Sequence, residues 1–176
     1  MTPLTYQDFT IKARVENFNQ TIAVLQRLGA ICLGTDLQTD TYFKTDTGKL
    51  KLRVGTIENL ITHYERLQEL GIEKTVVYRY DVNPTPEEVA TLRNNFTAMG
   101  EITKERTIYM FGIHKIHLDR INGEHFIEIE SIDRDGAYTS EALKALCWEV
   151  KDKLLIRSEE HTSELQSPCN LVCRLL

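Results

Sequence analysis

Polar and apolar positions alternate through most of this chain. Tyr6, Asp8, Thr10, Lys12 and Arg14 alternate with Gln7, Phe9, Ile11, Ala13 and Val15. That is the period of a strand with one polar and one largely apolar face. Asn17 then opens a predicted helix, with Phe18, Ile22, Leu25 and Leu28 on its buried side and Gly29 near its end. A strand over residues 30–44 follows, and Asp46-Thr47-Gly48 marks a turn. Lys49, Lys51 and Arg53 next alternate with Leu50, Leu52 and Val54. Two more strands are expected over 59–68 and 73–82, around a loop containing Gly71. The second helix has a clear start: Thr85 as cap, Pro86 at the first helical position, and Glu88 placed for a capping box. It ends by Gly100. Strands over 101–111, 113–121 and 124–132 follow. A last helix starts near Thr139 or Ser140, with Leu143, Leu146, Val150 and Leu154 spaced for one buried face.

The count is about eight strands, mostly hairpin-linked, with helices in the longer connections. A mainly β, α+β fold closed into a barrel would leave no exposed sheet edge. Its charged strand faces are rich and segregated by sign. One strand offers Lys49, Lys51 and Arg53, another Lys104 and Arg106, another Glu128 and Glu130. A solvated face ordinarily mixes its signs, so these faces are candidates for a charged interior.

The last twenty residues change what should be read as protein. Arg157 through Gln166 spell the in-frame translation of a common sequencing adapter, and Asn170 through Leu176 match its continuation. Residues 157–176 are therefore expected to be an adapter-derived, non-native tail, and 1–156 a single domain truncated at its C-terminus. The chain carries a net charge of −5. The tail holds Arg157 and Arg174 against Glu159, Glu160 and Glu164, which leaves −4 on residues 1–156. A mildly acidic chain argues against general nucleic-acid or membrane-surface binding, but not against a local basic pocket. No apolar run approaches the roughly 20 residues of a membrane helix. Outside the tail only Cys32 and Cys147 remain, in no motif. Both are expected to be buried, reduced thiols, which fits a cytoplasmic protein.

The order of motifs resembles the CYTH superfamily, which includes class IV adenylyl cyclases, thiamine triphosphatases and inorganic triphosphatases. The resemblance runs from about Tyr6 to Leu155. Asp40-Thr41-Tyr42-Phe43 is similar to the family's second-strand motif, and Gly48-Lys49-Leu50-Lys51-Leu52-Arg53 to its basic third strand. Leu60-Ile61-Thr62-His63-Tyr64-Glu65-Arg66 resembles the cyclase-branch pattern. Lys104-Glu105-Arg106, Ile116-His117-Leu118-Asp119 and Phe126-Ile127-Glu128-Ile129-Glu130 resemble the closing strands. The family's opening Glu-x-Glu-x-Lys reads here Asp8-Phe9-Thr10-Ile11-Lys12: the first acid is shorter and the second is missing.

The resemblance implies a triphosphate tunnel, an eight-stranded antiparallel barrel with an aqueous charged interior and flanking helices. Holding about four negative charges needs several converging cations, and guanidinium groups suit phosphate oxygens. Arg53, Arg66 and Arg106 are the expected clamps, with Lys12, Lys51 and Lys104 beside them, Lys49 at the mouth, and Lys74 as a further contact. Arg79 lies on the same strand as Lys74. Lys12, Arg66 and Asp119 are assigned to catalysis. Asp8, Glu128 and Glu130 are assigned to a Mg2+ or Mn2+ ion, with Asp119 as a further candidate ligand. His117 is read as a structural neighbour. The implied partner is a small-molecule triphosphate: ATP, thiamine triphosphate or tripolyphosphate. Three functions follow: ATP cyclisation, which the Leu60–Arg66 pattern favours, hydrolysis of a triphosphate, or binding without turnover, which Thr10 favours.

Overall fold

A computed structural model describes residues 4–69 and 72–156; the side chains of residues 4–5, 68–69 and 72–74 lie outside that description. Eight strands and three helices follow in the order β1 (Leu4–Val15), α1 (Asn19–Arg27), β2 (Ile31–Phe43), β3 (Lys49–Val54), β4 (Leu60–Glu69), β5 (Ile72–Val82), α2 (Pro86–Asn95), β6 (Ala98–Phe111), β7 (His114–Ile121), β8 (Glu124–Asp133) and α3 (Ser140–Lys153). The strands close into one barrel in the order β1-β5-β4-β3-β2-β6-β7-β8, and every pair is antiparallel. Closure satisfies the hydrogen-bonding edge of every strand.

The alternation in the sequence decides the two faces. Ile11, Ala13, Ile116, Leu118, Ile127 and Ile129 point outward and are buried with Val24 and Leu25 of α1 and with Cys147 and Val150 of α3. Leu50, Leu52 and Ile61 pack with Leu92 of α2. The helices thus bury the apolar outer wall, and the alternate, polar positions are left facing the lumen.

The turns obey local chemistry. Gly48 sits at φ +66°, and a Cβ there would lie 2.4 Å from the Tyr64 carbonyl oxygen, so only glycine fits the β2–β3 turn against β4. Thr85 caps α2 as the spacing predicts: its hydroxyl accepts from the Glu88 amide at 3.2 Å, and Glu88 accepts from the Thr85 amide at 2.7 Å. α1 differs. Asn17 accepts from the Asn19 amide at 3.0 Å, but Phe18 occupies the cap position and α1 begins at Asn19. α2 stops at Asn95, five residues before Gly100, because β6 starts early, at Ala98, to pair with Phe43.

Cys147 is buried and Cys32 is exposed; both are free thiols. The expectation of two buried thiols therefore holds for one, because the start of β2 is left uncovered, with Ile31 and Leu33 beside Cys32 exposed as well. Among the described residues, no helix is long and apolar enough to cross a membrane. The expected adapter-derived tail lies outside the described residues.

Candidate active site

The barrel encloses a cavity of about 690 Å3, lined from six strands by Asp8 and Lys12, Lys51 and Arg53, Arg66, Lys104 and Arg106, Lys115 and His117, and Glu128 and Glu130. Its lumen is built of ion pairs. Asp40 on β2 accepts from Arg53 Nε and Nη2, both at 2.8 Å, and from Lys104 Nζ at 3.2 Å, and Lys51 Nζ stands 3.7 Å away. Burial alone would raise the Asp40 carboxyl; Lys51, Arg53 and Lys104 overcome it and hold Asp40 far below the usual carboxylate range. On the neighbouring strands β6 and β7, Arg106 donates to both oxygens of Asp119, at 2.7 and 2.6 Å, and its Nη2 lies 3.9 Å from Glu128. Lys12 pairs with Glu128 at 2.8 Å.

A loop between β3 and β4 adds an acid that no motif in the sequence singled out. Asp36 is fully buried and accepts from the amides of Thr56, Ile57 and Glu58 at 2.6, 2.9 and 2.9 Å. Gly55 passes so close that a Cβ would lie 2.6 Å from an Asp36 oxygen. This clamp aims Glu58 into the barrel, where it accepts from Arg53 Nη1 at 2.8 Å and from Lys115 Nζ at 2.5 Å. Burial opposes ionisation of Glu58, but Lys115 and Arg53 win and bring it down to about 2. Asp36, Glu58 and Lys115 escape a motif reading because their partners are far apart in the chain. The only local signal is the Gly55–Glu58 turn between two strands.

The acids around β8 differ in kind. A nitrogen of His117 and one oxygen each of Glu128 and Glu130 lie within 4.8 Å of one another. Burial and Arg106 bring His117 down to about 4, so its ring is neutral at neutral pH. Burial opposes ionisation of Glu128, yet Lys12, His117 and Arg106 keep it charged. Glu130 goes the other way: burial first, then Glu128 and Asp8, raise it above its ordinary value. Glu130 is thus a buried acid in acidic surroundings that Arg66 and Lys115 only partly offset, and with His117 and Glu128 it forms a group that could hold a metal ion. Asp8 accepts from the Thr75 hydroxyl at 2.8 Å on the same side of the lumen.

Of the twelve residues picked out by the sequence, nine border this cavity: Asp8, Lys12, Lys51, Arg53, Arg66, Lys104, Arg106, Glu128 and Glu130. Two do not border it, and one lies outside the described side chains. Lys49 opens β3 next to the Gly48 turn and does not border the cavity, because the strand enters the lumen two residues later, at Lys51. Asp119 does not border the cavity; both its oxygens accept from Arg106, and it orients that guanidinium. The Lys74 side chain lies outside the described residues. Arg79 pairs with Asp81 at 2.5 Å beside the bulge between His63 and Tyr64 and does not border the cavity.

Among the described residues, the cavity lining carries eight cations (Lys12, Lys51, Arg53, Arg66, Lys104, Arg106, Lys115, Arg134) and seven acids (Asp8, Asp40, Glu58, Glu128, Glu130, Asp133, Asp135). A model of the CYTH domain matches residues 9–164. The chain belongs to the CYTH family. The match runs beyond residue 156 into the stretch that the described residues do not include. Among solved structures, a protein from Pyrococcus horikoshii is 27% identical with a TM-score of 0.73, covering 90% of this chain and 96% of its own. A candidate adenylate cyclase from Vibrio parahaemolyticus is 15% identical with a TM-score of 0.76, covering 95% and 98%. A Hippeastrum protein, a candidate adenylyl cyclase with a dominant triphosphatase activity, is 15% identical with a TM-score of 0.61, covering 96% and 95%. The latter two, at such low identity, show the fold alone. A search of curated proteins gives no match. Membership of the CYTH family supports triphosphate-related chemistry for this barrel.

Proposed function

We propose that the barrel binds a small-molecule triphosphate in its lumen and carries out metal-dependent phosphoryl chemistry on it. The observation that carries this reading is the near-balanced lumen. Eight cations against seven acids among the described lining residues leave one net positive charge, while a triphosphate brings about four negative ones. The protein alone therefore leaves the complex strongly anionic. The two carboxylates beside the cationic wall suit a divalent ion, Mg2+ or Mn2+, held by Glu128 and Glu130 with Asp8 nearby. When bound, that ion neutralises phosphate oxygens and stabilises developing charge.

The chain's own residues do the positioning. Arg53 and Arg106 are fixed by Asp40 and Asp119, so their remaining N–H groups are oriented before a ligand arrives. Lys51 and Lys104 supply point charges from the same wall. Arg66 and Lys12 border the cavity on the side of Glu128 and Glu130, where they would complement phosphate oxygens. Such preorganised charge is the main lever available in phosphoryl transfer.

The first reaction proposed is ATP cyclisation with release of pyrophosphate. Its support is the Leu60–Arg66 segment, which places Tyr64 and Arg66 in the cavity. The second is hydrolysis of a triphosphate by water, as in thiamine triphosphatase or tripolyphosphatase. One observation favours it: Asp119 has both oxygens on Arg106 and is not free to take a ribose hydroxyl proton. The test separates ATP, thiamine triphosphate and tripolyphosphate, each with Mg2+ and with Mn2+, and identifies products by chromatography. Cyclic AMP with pyrophosphate supports the first reaction, and release of inorganic phosphate the second. Tight tripolyphosphate binding without any product sinks the enzyme reading and leaves a binding module.

A further inference from the structure

The charges of the lumen form a belt with an apolar layer on each side, and the Glu58 carboxylate stands where the belt meets one of these layers. We propose that Glu58 is a length stop: it confines the phosphates of a bound ligand to the belt and lets only an uncharged group continue to the mouth of the barrel. The inference rests on the triphosphate reading above and adds to it the residue that limits how many phosphates are accepted.

Three observations carry it. The first is a closed end. Tyr42, Ile102 and Ile121 form a buried cluster with Phe126 packed against it. Each stands two residues from a charged residue on the same strand face: Tyr42 from Asp40, Ile102 from Lys104, Ile121 from Asp119 and Phe126 from Glu128. Along these four strands, which carry most of the belt, a longer ligand therefore extends only towards the other end.

The second observation is the character of that other end. Tyr6, Leu33, Leu60, Tyr80, Met110 and Ile113 border the cavity there. Leu33 and Tyr80 are half-exposed, so this end is open. The guanidinium of Arg134 lies over the Tyr6 ring at 5.2 Å, and Asp133 and Asp135 flank it in the chain. These three charges leave the mouth with no net positive charge to receive a further phosphate.

The third observation is the fixed place of Glu58 between belt and mouth. Asp36 holds its loop through the amides of Thr56, Ile57 and Glu58. Glu58 accepts from Arg53 Nη1 at 2.8 Å, Lys115 Nζ at 2.5 Å and Gln38 Nε2 at 3.2 Å, so strands β3, β7 and β2 all hold it. Arg53 stands opposite Leu60 in the β3–β4 register, at the border of belt and mouth. Held down to about 2 by Lys115 and Arg53, Glu58 is an anion throughout the neutral range. A phosphate leaving the belt towards the mouth passes a carboxylate whose neighbouring cations are already paired, and it is repelled. An uncharged substituent meets no such repulsion and gains burial against the apolar mouth. A more anionic ligand ordinarily gains in a cation-lined cavity; Glu58 reverses that order here.

The test uses the full chain in chelator and calorimetry with three probes: tripolyphosphate, tetrapolyphosphate and phenyl triphosphate. The last adds an uncharged ring where tetrapolyphosphate adds a phosphate. The expected result is tetrapolyphosphate bound at least about tenfold more weakly than tripolyphosphate, and phenyl triphosphate bound at least as tightly as tripolyphosphate. Glu58→Gln keeps the size and removes the charge. It should tighten tetrapolyphosphate far more than tripolyphosphate, so that the gap closes or reverses; Glu58→Ala takes its place if that variant does not fold. A variant that tightens both probes alike shows only a general charge effect and overturns the length stop. The unaltered chain overturns it too, whatever the variants do, if it binds tetrapolyphosphate as tightly as tripolyphosphate, or if phenyl triphosphate is weakened as much as tetrapolyphosphate. Failure of tripolyphosphate to bind removes the triphosphate reading itself, whereas equal binding of the two polyphosphates removes only the role of Glu58.

Discussion

Glu130→Gln separates what this acid costs the fold from what it gives the site. The ligand atoms of Glu128 and Glu130 are within 4.8 Å. At an effective dielectric of about 20, two unit charges at that separation repel by about 3 kcal/mol. Arg66 and Lys115 return part of this, and protonation relieves more, since burial, Glu128 and Asp8 already raise the Glu130 carboxyl. The net relief on removing the charge should be about 1 kcal/mol, within the range seen when a functional site is traded for stability. For a chain of 176 residues that corresponds to a rise in Tm of roughly 2–4 °C. The sign with pH follows from the raised value. The folded state favours protonated Glu130, so the cost of the charged group grows as pH rises through its folded value. The gap between variant and unaltered chain should therefore shrink on acidification. The same substitution should tighten metal-free tripolyphosphate binding, because a repelling carboxylate is gone, and should abolish metal-dependent turnover. Thermal unfolding at several pH values and calorimetry with tripolyphosphate in chelator make the measurement. A variant less stable than the parent near neutral pH, with weaker metal-free binding, would refute the view of Glu130 as an uncompensated acid awaiting an ion.

Three other substitutions probe separate parts of the lumen. Arg53→Ala removes a phosphate clamp without touching the β8 acids; it should weaken tripolyphosphate binding roughly ten- to a hundredfold, with or without metal, by the loss of about 1.5–3 kcal/mol, as read by calorimetry. Glu58 is depressed to about 2, so its contribution to stability is present above the ordinary carboxylate range and is lost as pH falls through about 2. Glu58→Gln should therefore flatten the acid limb of the stability curve below about pH 4.5, measured by denaturant unfolding against pH. Thr10→Glu restores the missing acid opposite Glu130; it should create or raise product release with Mn2+ if the chain has become a binder, and change little or harm an active enzyme.

The barrel was legible because its strands alternate so regularly. Lys51 and Arg53 against Leu50 and Leu52, and Glu128 and Glu130 against Ile127 and Ile129, fix which face turns inward once eight strands close. What the alternation could not give is which charges meet. Asp40 lay within a recognised motif, but its hold on Arg53 and Lys104 depends on the β2–β3 and β2–β6 registers. The family pattern assigns Asp119 to catalysis, but its pairing with Arg106 through both oxygens depends on the β6–β7 register. Glu58 and Lys115 are 57 residues apart and meet only because the Asp36 clamp aims one loop across the lumen. Lys49 shares the parity of Lys51 but stands at the strand's first residue, where parity no longer implies a place in the cavity.

The central claim is that this lumen takes a triphosphate together with a divalent ion. Calorimetric titration of tripolyphosphate into the full chain, first in chelator and then with Mn2+, tests it most directly. The account predicts one site per chain, binding in both conditions, at least tenfold tighter with Mn2+ because the ion offsets charge that one net positive lumen cannot. No binding in either condition, or binding that Mn2+ leaves unchanged, would contradict it.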